Sequence, residues 1–331
     1  MNARNKKNSS TLLWAVIGVS LIGIVYFGSR VFMEDRRPEG ANPFEYSVEE
    51  FGSFDPALLA YTETVQIPLR LANPVGIAVD GADNIYVTGD ESVLVMDDAG
   101  GMLSSFATDR TALCIDAGGD GALYLGMTGH IEVFGRDGVR IAKWDSPGEE
   151  AYFTSVRAYG DHVYAADAGY RIVRKYDRSG AEVLRIAEKD EARDIPGCIV
   201  PSGYFDVDVD PDGFLWVVNP GRHSLENYTT EGDFRTSWGT FSIEIGGFSG
   251  CCNPTHIRIL DNGAFVTSEK GIPRVKVYNR LGELESVVAG PDSFLGGTAG
   301  LDLAADSRGR VYVLDPRKKM VRIFEKNSPG V

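Results

Sequence analysis

Apolar and polar positions alternate in short runs through most of the chain, and each run is cut off by Gly, Asp or Asn. Alternation of period two predicts strands with one buried face. Helical spacing of apolar residues is scarce beyond the N-terminus. From residue 73 onward one phrase returns: an apolar strand, an Asp/Gly turn, a strand bearing Tyr, Trp or Phe, a second turn, and a charged strand closed by Gly. It starts at Asn73, Arg110, Tyr152, Tyr204, Asn253 and Gly297, a spacing of roughly 37–52 residues. Self-similarity at that period, with several short strands per unit, predicts an all-β radial array, a six-bladed β-propeller over 61–331.

The turns between first and second strands, 80–83 (DGAD), 118–121 (GGDG), 210–213 (DPDG) and 261–263 (DNG), use residues that tolerate positive φ and bond their own backbone. They resemble calcium loops in acidity only, because the ligand spacing and closing Glu are missing. The second strands place Tyr86, Tyr124, Tyr164, Trp216, Phe265 and Tyr312 at one equivalent position, the expected core of each blade. The last repeat ends soon after Phe324 with no room for a fourth strand, while 61–69 (YTETVQIPL) alternates like a strand ahead of the first repeat. An open ring would leave an exposed edge, so 61–69 is expected to supply the outer strand of the last blade.

Residues 1–10 carry Arg4, Lys6 and Lys7 and no acid, and residues 11–28 carry no charge. That stretch reaches the ~17–25 residues that cross a hydrocarbon core. Trp14 and Tyr26 stand near its ends, where amphipathic rings prefer the interface. A cleaved signal peptide would have a shorter apolar region, roughly 7–15 residues, and an A-x-A-like site; here the stretch ends YFGSR. The reading is a cytoplasmic tail over 1–10, a transmembrane signal anchor over 11–32, a tether over 33–60, and a propeller on the periplasmic side of the cell membrane. Phe44, Tyr46, Phe51 and Phe54 are more aromatics than a disordered tether holds, so part of it is expected to pack on the domain. The anchor has no GxxxG, and a monomeric propeller is expected. A net charge of −14 argues against nucleic acid as a partner, since the basic face it needs is missing.

Residues 74–80 (PVGIAVD), 84–88 (NIYVT) and 92–96 (SVLVM), echoed at 163–167 with 171–173 and at 311–315 with 321–324, resemble the NHL repeat. The resemblance covers 61–331. It implies an NHL-type propeller and is nearly silent on activity, because one fold hosts many functions. The stretch 248–278, containing FSGCCNPTHI and VTSEKGIPRVKVY, is also similar to a set of membrane-anchored bacterial NHL-repeat proteins. Relatives of that stretch often carry another Cys where Ser249 stands, which weakens any three-thiol metal site here.

In a propeller, the turns joining second and third strands share a face with the connectors between blades. The longest connectors, 188–203 and 240–252, enter the fourth and fifth repeats, beside the turns 219–223 (NPGRH) and 268–274 (SEKGIPR). Long irregular segments on a rigid scaffold are where binding residues concentrate. Asn219, Arg222, His223, Asn253, His256, Glu269, Lys270 and Arg274 are the candidates on that face. Arg222, Lys270 and Arg274 form a local cationic group suited to a carboxylate or phosphate. The other reading is ion pairing with Glu226, Glu244 or Glu269.

Cys251 and Cys252 are adjacent, and Cys198 stands in the partner connector. Outside the cytoplasm a disulfide is the first expectation, either vicinal or joining Cys198 to one of the pair. Free thiols, or a redox or soft-metal site using Cys251, Cys252 and His256, are the alternatives; no CxxC or paired zinc spacing is present. Cys114 reads as a buried small hydrophobe on an inner strand. A zinc site of His130, His223 and His256 would resemble the amidating-lyase branch of the propellers, but no spacing supports it. No Ser–His–Asp order, P-loop or dinucleotide fingerprint occurs. The sequence points to a ligand- or protein-binding platform on the face of repeats 4 and 5, with a protein or a small anionic ligand as partner and no cofactor. The alternatives are a redox or metal-handling protein centred on Cys251–Cys252 and a metal-dependent lyase or hydrolase in the central channel.

Overall fold

Six four-stranded antiparallel sheets succeed one another in the computed structural model, which describes residues 53–328. Their inner strands are Pro74–Val79, Cys114–Ala117, Phe153–Tyr159, Val207–Val209, His256–Ile259 and Asp302–Ala305. Each packs against the next and the last against the first, which makes the sheets the blades of a ring. The sixth blade takes its outer strand from the other end of the described chain. Tyr61–Pro68 pairs antiparallel with Met320–Lys326, from Tyr61 opposite Lys326 to Pro68 opposite Met320. Arg322 grips Glu63 with Nε on Oε1 at 2.7 Å and Nη2 on Oε2 at 2.6 Å.

The repeated phrase has a physical origin. In three blades the Asp closing the inner strand accepts a hydrogen bond from the aromatic of the second strand: Tyr86 on Asp80 at 3.0 Å, Trp216 on Asp210 at 2.9 Å and Tyr312 on Asp306 at 3.1 Å. The acidic turns thus satisfy a buried polar tip and tighten the hairpin. The closing Gly serves the neighbouring blade. At Gly282, φ is +78° and a Cβ would lie 2.4 Å from the ring of Trp238, so only glycine lets that indole lie flat on the next turn.

Carboxylates on the inner strands tie blade to blade. Asp302 accepts from the Ile77 backbone at 2.8 Å, Asp116 from Ala158 at 2.8 Å, Asp206 from Ile257 at 2.7 Å and Asp208 from Ile259 at 2.7 Å. Charge-assisted bonds to buried amides are stronger than neutral ones, and they fix how the wedges abut.

The expected cytoplasmic tail, signal anchor and tether, up to residue 52, lie outside the described residues. Among the described residues no helix is long and apolar enough to cross a membrane. Residues 53–60, the last of the expected tether, are placed on the ring. Asp55 caps the short turn Pro56–Leu58, Leu59 bridges to Val287, and Phe54 lies over Gly290.

Candidate ligand-binding face

At mid-depth the central channel is almost closed. Arg157 lies between Asp116 (Nη1–Oδ1 3.1 Å) and Asp208 (Nε–Oδ1 2.8 Å), and Arg258 stands 3.7 Å from Asp208. Two like charges share that space. Burial and the neighbouring Arg157 pull Arg258 below its usual range, against Asp208, Asp116 and Asp206. The free space there is about 40 Å³, enough for little more than water. Above this plug, on the connector face, the channel widens into a funnel of about 380 Å³ lined by Leu113, Tyr152, Thr154, Tyr204, His256 and Pro316, among others. A ligand entering from the connector face is therefore stopped at this mouth; a second cavity of about 330 Å³, lined by Leu260, Asn262, Ala305 and Arg308 among others, lies at the first-to-second-strand turns of blades 5 and 6.

His256 stands in the funnel wall with Nδ1 3.4 Å from Ser268 Oγ and its ring edge-on to Tyr204, centroids 5.6 Å apart. Burial lowers its pKa, opposed by Asp206, so the ring is neutral at pH 7. Asp206 below it is pushed up to about 6 by burial. Asp302 is likewise pushed up to about 6 by burial, against the hydrogen bonds from Ile77 and Leu303. A carboxyl that holds its proton more tightly when folded favours the folded state below the unfolded pKa, and that contribution is lost as pH rises through the folded value. Asp302→Asn is therefore expected to gain stability relative to the natural protein as pH climbs from about 4 to about 6, and to show no further change above that window. Urea midpoints of both proteins across that range check it; a constant difference would refute it.

The two long connectors beside the funnel are pinned from inside. Asn219, fully buried, accepts from the Ile199 amide at 3.0 Å and donates to Gly197 O at 3.3 Å and Glu226 Oε1 at 2.8 Å. Asn253 accepts from the Lys270 amide and donates to the carbonyls of Ser249 and Lys270. Glu269 is the hub of the second connector. Its carboxylate receives Arg274 at 2.8 and 3.0 Å, Lys276 at 2.7 Å and the Ser249 amide at 2.9 Å. The cations reach on into the connector, Arg274 to Ile243 O at 3.1 Å and Lys276 to Gly247 O at 2.6 Å. Burial would raise Glu269, but Lys276 and Arg274 outweigh it and hold the carboxylate below its ordinary range.

Asn219, Asn253, Glu269 and Arg274 thus turn inward, and their hydrogen-bonding groups are spent on holding loops in place. Arg222 is exposed, with a 3.5 Å contact to Pro196 O. His223 rests edge-on against Phe241, centroids 5.1 Å apart. Lys270 sits over the Tyr204 ring at 4.9 Å with Nζ 3.2 Å from Ser202 Oγ, at the rim of the funnel. The three histidines of the zinc alternative are not brought together: His130 is held by Glu132 at 3.0 Å and His223 by Phe241. Among the described residues no group of three His, Cys, Asp or Glu side chains converges as a metal site. Tyr152 and Tyr204 escaped the sequence reading as site residues, although each opens its repeat just ahead of an inner strand, where a side chain meets the channel mouth.

The expected disulfides are corrected by the structure, in which all four cysteines are free. Cys198 packs against the apolar cluster of Ile195, Phe205 and Tyr228, where burial and Glu226 push its thiol well up. Cys251 and Cys252 instead belong to the polar environment of Lys270 and Ser202, with their sulfurs 3.1 Å apart and unbonded. Cys114 is buried, and its thiol is pushed up by burial.

The described residues form a six-bladed β-propeller whose channel is almost closed at mid-depth and widens into a funnel on its connector face. No family model and no curated protein sequence matches it. Among solved structures it is similar to a streptogramin B lyase, at 12% identity and TM-score 0.57 over 82% of this chain and 100% of that one. It is also similar to virginiamycin B lyase from Staphylococcus aureus, at 12% identity and TM-score 0.52 over 82% of this chain and 90% of that one. A catalytically inactive histidine-to-alanine form of that lyase, with quinupristin, gives 12% identity and TM-score 0.54 over 82% of this chain and 89% of that one. At such identity the likeness extends to the fold alone.

Proposed function

We propose that the protein is a membrane-anchored, periplasmic NHL-type propeller that binds a ligand or a partner's side chain in the connector-face funnel, beside blades 4 and 5. One observation carries this reading: an aromatic-walled funnel of about 380 Å³ with Tyr152, Tyr204 and His256 in its wall. A concave, mostly pre-formed site with a few placed polar groups is the usual form of a small-molecule pocket. The neighbouring connectors are locked by buried hydrogen bonds, so little ordering is needed on binding. Lys270 at the rim favours a carboxylate or other small anion over a cation. Thermal shift and saturation-transfer NMR against a panel of aromatic carboxylates test the reading. Binders should lose at least tenfold in affinity in Tyr204→Ala/His256→Ala, the equivalent of about 1.4 kcal/mol. Binding that is indifferent to both substitutions would remove the funnel as the site.

A second reading, a lyase working at the same mouth, draws on the neighbours' activity and on a neutral His256 in the funnel wall, a group suited to general base work. Turnover of quinupristin by the natural protein, lost in His256→Ala, would support it. Unchanged quinupristin after prolonged incubation would leave the binding reading alone.

A further inference from the structure

Among the described residues the cysteine pair is a reactive cluster that the funnel reading leaves unused. Cys251 is exposed and Cys252 is almost fully buried beneath it, 2% accessible, with the two sulfurs 3.1 Å apart. Lys270 and Ser202 attend the buried sulfur, and the same Lys270 lies on Tyr204 of the funnel. We infer that Cys251–Cys252 is a redox-active vicinal dithiol that exchanges with the disulfide of a small thiol or of a partner protein, Cys251 taking the incoming sulfur and Cys252 resolving it.

Three features of the pair support those roles. Exposure assigns the first encounter to Cys251, because a bulky disulfide cannot reach Cys252. Burial alone would raise the Cys252 thiol, yet hydrogen bonds from Lys270, Ser202 and Cys251 outweigh it and hold it below its ordinary value, while the same contact with Cys252 raises Cys251. The inner sulfur is therefore the more acidic of the two, and once it has lost its proton it serves first as the base for its neighbour. The other cysteines stand apart from this chemistry, since Cys114 and Cys198 are pushed well up by burial and have no cation hydrogen-bonded to sulfur.

The exchange balances as follows. Cys251 Sγ attacks one sulfur of RS–SR, its proton passes to the Cys252 thiolate, and RS⁻ leaves. Cys252 gives that proton to the departing RS⁻, attacks Cys251 Sγ, and expels the second RS⁻, which is protonated by solvent. Starting from the Cys252 thiolate, the pair has lost two electrons and the one proton of Cys251, and RS–SR has become two RSH, the second proton coming from solvent. Adjacent residues hold their Cα atoms about 3.8 Å apart, short of the roughly 4.4–6.8 Å that disulfides prefer, so the bond formed is strained and readily reduced again. Reversibility suits a carrier or switch better than a structural staple. Oxidation also removes the acidic thiol beside Lys270, so the redox state of the pair bears on the charge available at the funnel rim.

The full-length protein, equilibrated in graded mixtures of reduced and oxidised glutathione, acid-quenched, unfolded, alkylated and mapped by mass spectrometry, tests this. Cys251 and Cys252 are expected to lose alkylation together, with the peptide lighter by two hydrogens, while Cys114 and Cys198 stay alkylated. Cys252→Ser is expected to accumulate a glutathione adduct on Cys251. Lys270→Met, with an unchanged urea midpoint, is expected to slow exchange at pH 7 about tenfold, the change in thiolate fraction for one pKa unit. A stable glutathione adduct as the end state of the natural protein, no oxidation of the pair at any ratio, or an unchanged rate in Lys270→Met would overturn the assignment.

Discussion

Glu269→Ala is expected to destabilise the propeller by about 3–5 kcal/mol, the cost of leaving buried charges without their partner. Arg274 and Lys276 are both almost wholly buried, and the carboxylate of Glu269 is their shared counter-ion. Urea midpoints measure the loss. Limited proteolysis should show new cleavage within 240–252, since Ser249 loses its acceptor and the two cations lose what aims them at Ile243, Ile245 and Gly247. Replacing all three charged residues by Met or Leu should cost less than the single change, because no orphan charge remains. The deficit also depends on pH. Burial has already pushed Lys276 down to about 8, with Glu269 holding it up and Arg274 adding to the fall. Without Glu269 its folded pKa falls further, and a depressed lysine regains stability as pH rises past its folded value. The deficit should therefore narrow as pH climbs from neutral toward about 8. A loss under about 1 kcal/mol, constant with pH, would mean that the hub does not hold the connector.

Removal of Tyr61–Pro68 by internal deletion is expected to open the ring. Tyr61 and Ile67 are each 5% exposed, and burial of each contributes about 1.5–3 kcal/mol. Met320–Lys326 would become a free edge, uncovering the buried Val321, Ile323 and Phe324. The total should exceed about 5 kcal/mol, comparable with the whole stability of many domains, so the variant should aggregate or melt without a cooperative transition. Glu63→Ala, which keeps the strand and removes only the grip on Arg322, should cost about 1–3 kcal/mol and retain cooperativity. Calorimetry separates the two. A cooperative, soluble deletion variant would show that the blades hold one another without the shared strand that closes the circle.

The candidate site was partly legible. Its face could be read because strand direction alternates and the two longest connectors stand out by length. Which residues of that face look outward could not. Arg274 and Lys276 alternate with apolar neighbours on one strand exactly as solvent-facing charges would, yet both point under a connector that folds back over them. Asn219 and Glu269 have the polarity of binding residues and serve as loop anchors for the same reason. Tyr152 and Tyr204 look like ordinary repeat starts, and only closure of the ring makes them neighbours of His256 in one funnel.

By itself the sequence determined the number of blades, the acidic turns of four hairpins and the aromatic positions of all six, and the presence of a spare strand at one end with a missing one at the other. These follow from local periodicity and turn chemistry, which the chain carries at short range. The tertiary structure alone decided that the channel is plugged by Arg157 and Arg258, that Glu269 gathers two cations and a connector, and that Cys252 lies against Cys251 under Lys270 while Cys198 stays in apolar packing. Those facts depend on which side chains from distant repeats share a desolvated space, and neither spacing nor composition encodes that distance.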